Sequence, residues 1–269
     1  MSPTVLITGA SQGIGKATAH LFAQNGYNVV LVARQRDRLE AVAQELTALG
    51  HNALAIPTDV SDLLQVKILV EKAITAYHAI DVLVNNAGIC LSGAMEKTTI
   101  EDWQKIINVN LWGYIYTIHS LLPHFLERQS GTIINVGSFG GKVPLPEMTA
   151  YCTSKYAITG LTETLRLELE PKGIHVCGIH PSVTNTDFLE RAIFSGDENS
   201  DAKEKRQQTQ KILQSPLTSK PEAVAKEIWN LVKHPQAEVI VGSAVVPATL
   251  HRLAPGLTNW TMQQFLSKK

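Results

Sequence analysis

Tyr151 and Lys155 stand four residues apart in Tyr151-Cys152-Thr153-Ser154-Lys155, a spacing that puts phenol and ammonium on one side of a helix. A phenol of ordinary pKa, about 10, exchanges protons poorly near neutrality, and a lysine cation beside it favours the phenolate. Ser138 precedes the pair, in Asn135-Val136-Gly137-Ser138-Phe139-Gly140-Gly141, just past a β-branched run that reads as a strand. These groups suit carbonyl reduction. As hydride arrives at the carbon the oxygen gains alkoxide character, so an acid must deliver a proton while a donor holds the oxygen. Tyr151 is the expected acid and Ser138 the expected donor. Lys155 is the expected cation, placed to tune the phenol and to bind the ribose of a nicotinamide.

Such chemistry needs a hydride carrier, and the first βα turn offers a seat. Thr4 to Thr8 reads as a strand, after which Gly9, Ala10, Ser11, Gln12, Gly13, Ile14 and Gly15 lead into a helix. A pyrophosphate must lie against backbone N–H groups at a helix N-terminus, where a Cβ would block approach and the dipole favours anions. Gly9, Ser11, Gln12, Gly13, Ile14 and Gly15 are therefore expected cofactor contacts. An NAD site carries a carboxylate at the end of strand two, for the ribose diol. Here Ala33 and Arg34 occupy that place. A guanidinium attracts a 2′-phosphate that a carboxylate would repel, so NADP(H) is expected over NAD(H), with Arg34 as its reader. Lys16, Arg36 and Arg38 could add positive potential or merely solvate their helices. Asp59 and Val60, and then Asn85, Asn86, Ala87 and Gly88, follow further strands at carboxyl ends, where ligands bind in open sheets. Asp59 reads equally well as a helix cap.

The elements that must position these groups follow from periodicity. Strands are expected at Thr4–Thr8, Asn28–Ala33, Ala53–Pro57, Ile80–Asn85, Gly131–Val136, Ile174–Ile179 and Glu238–Val241, alternating with amphipathic stretches such as Gly15–Gln24, Arg36–Leu49 and Asp62–Tyr77. The alternation implies an α/β fold: a Rossmann-type, doubly wound, seven-stranded parallel sheet with helices on both faces. One domain spanning residues 1–269 is expected, without repeat or linker. Within it, residues 186–219 break the rhythm and read as a substrate lid, with an apolar patch at Phe188, Leu189, Ile193 and Phe194. Residues 243–269, carrying Leu250, Leu253, Leu257, Trp260, Met262 and Phe265, read as a tail that docks on the body or on a partner subunit.

Taken in order, T-G-x-x-x-G-x-G from Thr8, N-N-A-G from Asn85, Ser138 and the Tyr151/Lys155 pair resemble the short-chain dehydrogenase/reductase family across residues 4 to 242. The resemblance implies that Asn86, Ala87 and Gly88 brace the sheet core and border the adenine ribose and nicotinamide. It implies that Asn110, in Asn108-Val109-Asn110-Leu111, anchors a water of the proton relay behind the lysine. It further implies cofactor contacts from Pro181, Ser182, Val183 and Thr186, where the family has P-G-x-V-x-T and Thr186 would meet the carboxamide. Ser182 in place of glycine, and Thr153 in place of a common alanine, depart from that pattern. The helices around Asn110 to Arg128 and Tyr151 to Glu170 would pack as a four-helix interface in a homodimer or homotetramer.

Composition bounds the alternatives. Lys plus Arg equals Asp plus Glu at 24 each, so nothing attracts a nucleic acid over distance. Cys90, Cys152 and Cys177 form no metal or disulfide pattern, and the nine histidines have no metal spacing, so no metal and a reducing compartment are expected. Cys152 reads as a packing residue and His180 as one flanking a turn. Met1 to Thr4 lead straight into an apolar run, which gives the expectation of a cytoplasmic protein. Pro247, His251, Arg252 and Pro255 interrupt the apolar stretch from Val239, which argues against a spanning helix and against membrane contact. The pocket is expected from Ile89, Cys90, Lys142 to Met148 and the lid, mostly apolar, for a hydrophobic carbonyl. A 3-oxoacyl-carrier-protein reductase is the alternative, although such chains close soon after the last strand. A non-catalytic NADP(H) sensor would keep the glycine loop and lose Ser138, Tyr151, Lys155 and Asn110, all present here. Epimerase or dehydratase chemistry would need a larger C-terminal domain.

Overall fold

The computed structural model describes residues 2–182, 184, 192–194 and 218–266, the side chains of 192–194, 265 and 266 excepted. Seven parallel strands form one sheet in the order β3-β2-β1-β4-β6-β7-β9. They are β1 (Thr4–Thr8), β2 (Asn28–Ala33), β3 (Ala53–Pro57), β4 (Val82–Asn85), β6 (Gly131–Val136), β7 (Ile174–Pro181) and β9 (Glu238–Val241). Covered on both faces, these strands are runs of Val, Ile and Leu rather than alternating sequences, and every residue of β1 and β6 is buried. Helices α1 (Gly13–Gln24) and α2 (Arg36–Ala48) cover one face with α7 (Pro221–Lys233), through Phe22, Leu39, Leu46 and Ile228. Helices α3 (Leu63–Tyr77), α5 (Gly113–Arg128) and α6 (Thr149–Leu169) cover the other, through Leu69, Leu121, Phe125 and Leu169. Strand order reverses between β1 and β4, and ligands bind at such a switch point, outside the carboxyl ends of the strands.

The expected elements form with small shifts. The fourth strand starts at Val82 instead of Ile80, because side chains of α5 take the backbone groups of Ile80: its N–H donates to His124 and its carbonyl accepts from Arg128. Strand β7 runs on to Pro181, pairing His180 and Pro181 with Ile240 and Val241. Asp62, not Asp59, caps α3, accepting from the Leu64 and Gln65 N–H groups. Sequence periodicity missed a second, two-stranded sheet, in which β5 (Cys90–Ser92) pairs in parallel with β8 (Ala192–Phe194). It also missed α4 (Ile100–Ile107), started by a Thr99/Asp102 capping box. The rest of the 186–219 lid lies outside the described residues apart from Thr218 and Ser219, whereas the β5/β8 pairing ties its first part to the strand that follows the N-N-A-G tetrad. The tail forms α8 (Val245–Leu253) and α9 (Pro255–Leu266), of which Ala244, just ahead of α8, and Ala248 are buried.

A buried polar chain crosses the sheet beneath the site. Thr117 donates to Asn85 Oδ1 at 2.6 Å, Asn85 Nδ2 to Asn135 Oδ1 at 3.1 Å, and Asn135 Nδ2 to Thr162 at 3.0 Å. All four residues are nearly without solvent contact, so each amide must find a partner inside the protein. Asn135→Leu should leave Asn85 Nδ2 unpaired and destabilise the fold by about 1–3 kcal/mol in urea unfolding. An unchanged midpoint would show that the chain contributes nothing.

Candidate active site

The glycine turn is shaped by contact with the end of β4. Gly9 sits at φ +67, where a Cβ would approach Ala87 Cα to 2.9 Å, and a Cβ on Gly15 would run into the Gly9 carbonyl. Asn86 Nδ2 donates to the Thr8 and Gly9 carbonyls, and Thr8 Oγ1 accepts from the N–H groups of Asn86 and Ala87. The tetrad and the turn therefore hold one another, and α1 starts without a side-chain cap. Its first N–H groups are left for a ligand.

A groove opens above this turn, lined by Gly9, Ser11, Gln12, Arg34, Asp59 and Val60, with Ala87 and Gly88 at its inner end. Gln12 Oε1 accepts from Arg38 at 2.8 Å, while its buried Nε2 has no partner among the described residues. That orphaned donor, together with the N–H groups of α1, suits the oxygen atoms of a dinucleotide, so the residues present fit the expected cofactor. Arg34 is more than half exposed and lies 3.8 Å from Asp59, whose other oxygen accepts from the backbone and hydroxyl of Ser61. Lys16 pairs with Glu45 and Arg36 with Glu40. Of the three auxiliary cations, only Arg38 lines the groove.

Tyr151, Lys155 and Ser138 meet at the carboxyl end of β6. Ser138 caps a short 3₁₀ turn by accepting from the Gly140 N–H at 3.1 Å. Burial pushes the Tyr151 phenol above its ordinary value, the neighbouring thiol of Cys90 adds to this, and a hydrogen bond with Ser138 opposes it. Lys155 Nζ donates to the Val136 carbonyl at 3.0 Å and lies 5.5 Å from the ring centre of Tyr114. Burial lowers its pKa to about 8. The sequence expectation that lysine depresses the phenol pKa is not what the two environments produce: desolvation dominates both groups.

Asn110 lies in a π-helical turn, Asn108–Trp112, between α4 and α5. Such turns insert one residue and redirect side chains. Asn110 Oδ1 accepts from the Ile89 N–H, and Nδ2 donates to the Ile89 carbonyl at 2.9 Å and to Ser154 Oγ at 3.0 Å. It thereby clamps the chain just after Gly88 to the helix of Tyr151 and Lys155. Pro181 is buried at the end of β7, and Ser182 Oγ stands 3.0 Å from Ser219 Oγ. Val183 and Thr186 lie outside the described residues.

Tyr114 escaped the sequence reading, which names Cys90 only as pocket lining and His180 only as flanking a turn. The hydroxyl of Tyr114, one turn beyond Asn110, also donates to the Val136 carbonyl, at 2.9 Å. Cys90 adjoins Tyr151 electrostatically, and burial raises its thiol to about 12, so it stays a neutral wall. His180, at the end of β7, is buried, with Nε2 3.3 Å from Glu238. Glu238 also binds Lys142 and is drawn down to about 2, chiefly by the His180 hydrogen bond. Only the Tyr114 spacing from Asn110 left a signal in the sequence.

Comparison with known proteins shows the family. A family model described as short chain dehydrogenase matches residues 3–194. An uncharacterised oxidoreductase of Staphylococcus saprophyticus is 34% identical over 248 residues, covering 91% of this chain and 96% of that protein. A 3-oxoacyl-[acyl-carrier-protein] reductase of Staphylococcus aureus is 35% identical over 191 residues, 71% of this chain and 78% of that one. A crystal structure of a short chain dehydrogenase/reductase from Burkholderia phymatum, in complex with NAD, superposes with a TM-score of 0.88 at 25% identity, over 95% of each chain.

The depressed Lys155 value carries a prediction about stability. Between pH 8 and 10.5 the unfolded chain holds a proton that the folded chain has lost, so folding stability rises with pH across that window and the cost of burying the cation is complete below it. Lys155→Met should accordingly melt at or above the wild-type temperature at pH 7, with the gap closing towards pH 10.5. A lower Tm at pH 7 by differential scanning calorimetry would refute the assignment.

Proposed function

The chain belongs to the short-chain dehydrogenase family of oxidoreductases, and we propose that it moves a hydride between NADP(H) and a carbonyl or secondary alcohol. The observation carrying this reading is the convergence of Ser138, Tyr151 and Lys155 at the end of β6, next to a groove that presents Gln12 Nε2 and Arg34.

A nicotinamide dinucleotide, when bound, supplies the hydride or accepts it. Gly9, Ser11, Gln12, Gly13, Ile14 and Gly15 would hold its pyrophosphate, and Asp59, Val60, Asn86, Ala87 and Gly88 would border the adenosine and inner ribose. Pro181 and Ser182, together with Val183 and Thr186, would approach the nicotinamide. Ser138 holds the substrate oxygen by hydrogen bonding, and Tyr151 delivers a proton to that oxygen in reduction or removes it in oxidation. Burial raises the phenol, so Tyr151 keeps its proton until the substrate oxygen gains alkoxide character and takes it. Lys155 would bind the cofactor ribose, and its cation would favour the phenolate that Tyr151 becomes once its proton has gone to the substrate. Asn110 acts through Ile89 and Ser154, keeping strand end and helix in register.

NADP(H) is the preferred cofactor because strand β2 ends at Ala33 and is followed by Arg34 in place of a carboxylate, and Arg38 adds a second cation to the groove. The apolar Ile89 and neutral Cys90 beside Tyr151 favour a hydrophobic carbonyl. Similarity to the Staphylococcus aureus reductase keeps a 3-oxoacyl thioester as the second reading. The similarity to it covers 71% of this chain and 78% of that protein. Trp112, Tyr156 and Leu167 remain exposed around α5 and α6, which supports a homodimer or homotetramer built on those helices.

Arg34→Ala should raise the KM for NADPH by about 10- to 100-fold, the loss of one charge-assisted phosphate contact, while the KM for NADH stays within about twofold. Initial rates with both cofactors over a panel of aliphatic, steroid, quinone and acyl-thioester carbonyls test this. Equal loss for the two cofactors would remove Arg34 as the phosphate reader, and absence of turnover with every carbonyl would overturn the proposed reaction.

A further inference from the structure

Helix α8 is amphipathic in the reverse of the usual sense. Its contact with the body runs through small residues, Ala244 just ahead of it and Ala248 within it, each about 4% exposed or less. The large apolar side chains point away: Val246, Leu250 and Leu253 on α8 and Leu257 and Trp260 on α9 are each between 52% and 77% exposed. Val246, Leu250 and Leu253, spaced four and three residues apart, share a face of α8, and Leu257 and Trp260, three apart, share a face of α9 beyond the turn at Ala254. Helices that only covered the sheet would turn these residues inward, and five exposed large apolar side chains on two successive helices mark a surface that something covers.

Charge identifies what covers it. The whole chain balances 24 cations against 24 anions, yet from Val239 to Lys269 the sequence contains Arg252, Lys268 and Lys269 and no Asp or Glu. Arg252 is exposed beside the stripe. Among the described residues no helix is long and apolar enough to cross a membrane, so contact with lipid would be in the plane of the interface. Leucines flanked by cations, with a tryptophan at the edge, are the composition that sinks into the headgroup region of an anionic bilayer. A second copy of this chain would bring the same positive segment against itself across a two-fold axis, which the charge disfavours.

We propose that α8 and α9 form a peripheral anchor that lays this protein on an anionic lipid surface through Val246, Leu250, Leu253, Leu257 and Trp260. This revises the sequence expectation of no membrane contact: the interruptions at Pro247 and Pro255 prevent spanning but not lying flat. The anchor is separate from the groove and from Tyr151, so its failure would leave the proposed reaction standing.

Full-length protein is sedimented with vesicles of phosphatidylcholine alone and of phosphatidylcholine with 30% phosphatidylglycerol. Binding to the anionic vesicles should exceed binding to neutral ones by at least tenfold and should fall in 0.5 M NaCl, where screening length drops to a few ångströms. The Trp260 emission should move to shorter wavelength with anionic vesicles, and the shift should be missing in Trp260→Phe. Leu250→Glu/Leu253→Glu should abolish binding while NADPH affinity is retained. Arg252→Glu, a single exposed charge reversal that keeps the stripe, should weaken it by about fivefold or more. The proposal is overturned if wild type stays in the supernatant with anionic vesicles, if neutral and anionic vesicles bind equally, or if the leucine variant changes mass by light scattering without lipid, which would assign the stripe to a second copy.

Discussion

The carbonyl oxygen of Val136 accepts two hydrogen bonds, one from Lys155 Nζ and one from the Tyr114 hydroxyl, and the site is built around that shared acceptor. A carbonyl at the last residue of a buried parallel strand has no further ladder partner, so it must be satisfied by whatever lies beyond the strand end. Here two helices on the same face of the sheet compete to do so. Lysine reaches it from α6, with its amine stripped of water, and tyrosine reaches it from α5. Because both bonds end on one atom, the two helices are set relative to each other and to Ser138, two residues further along the chain. The position of the phenol follows from this. Tyr151 lies one helical turn before Lys155, under the turn that Ser138 caps.

The other strand ends are fixed in the same way. Thr8 and Asn86 lock the glycine turn to the end of β4, Asn110 binds both backbone groups of Ile89, and the amides of Asn85 and Asn135 bridge neighbouring strands inside the core. Buried polar groups gain little net stability when paired and cost much when unpaired, so such a set has very few permitted arrangements. That restriction places a nucleotide-sized groove and a proton donor on the same edge of the sheet. At the far edge, His180 and Lys142 converge on Glu238, joining the end of β7 to the turn after Ser138.

The parts visible in the sequence were those with a strong local signal. Continuous Val/Ile/Leu runs located all seven strands of the main sheet, and glycines with a following helix located the groove. Tyr151, Lys155 and Ser138 were found because their spacing relative to a strand end is itself the geometry. What stayed hidden depends on contacts far apart in the chain. The pairing of Cys90–Ser92 with Ala192–Phe194 joins three-residue strands about a hundred positions apart, too short to show a period. The link from Arg38 to Gln12 crosses 26 residues, and nothing local distinguishes Arg38 from Arg36, which turns out to pair with Glu40. The depressed Lys155 and raised Tyr151 values come from burial, which a motif does not report.

Single-turnover kinetics report whether the Tyr151 phenol is the proton donor of a hydride transfer at the end of β6. Wild type and Tyr151→Phe, each preloaded with NADPH, would be mixed with the best carbonyl substrate and the loss of nicotinamide absorbance followed. NADPH affinity should be unchanged and the transfer rate lower by at least about a hundredfold in the variant, the usual scale for losing a positioned acid. Transfer at the wild-type rate without the hydroxyl would contradict that role.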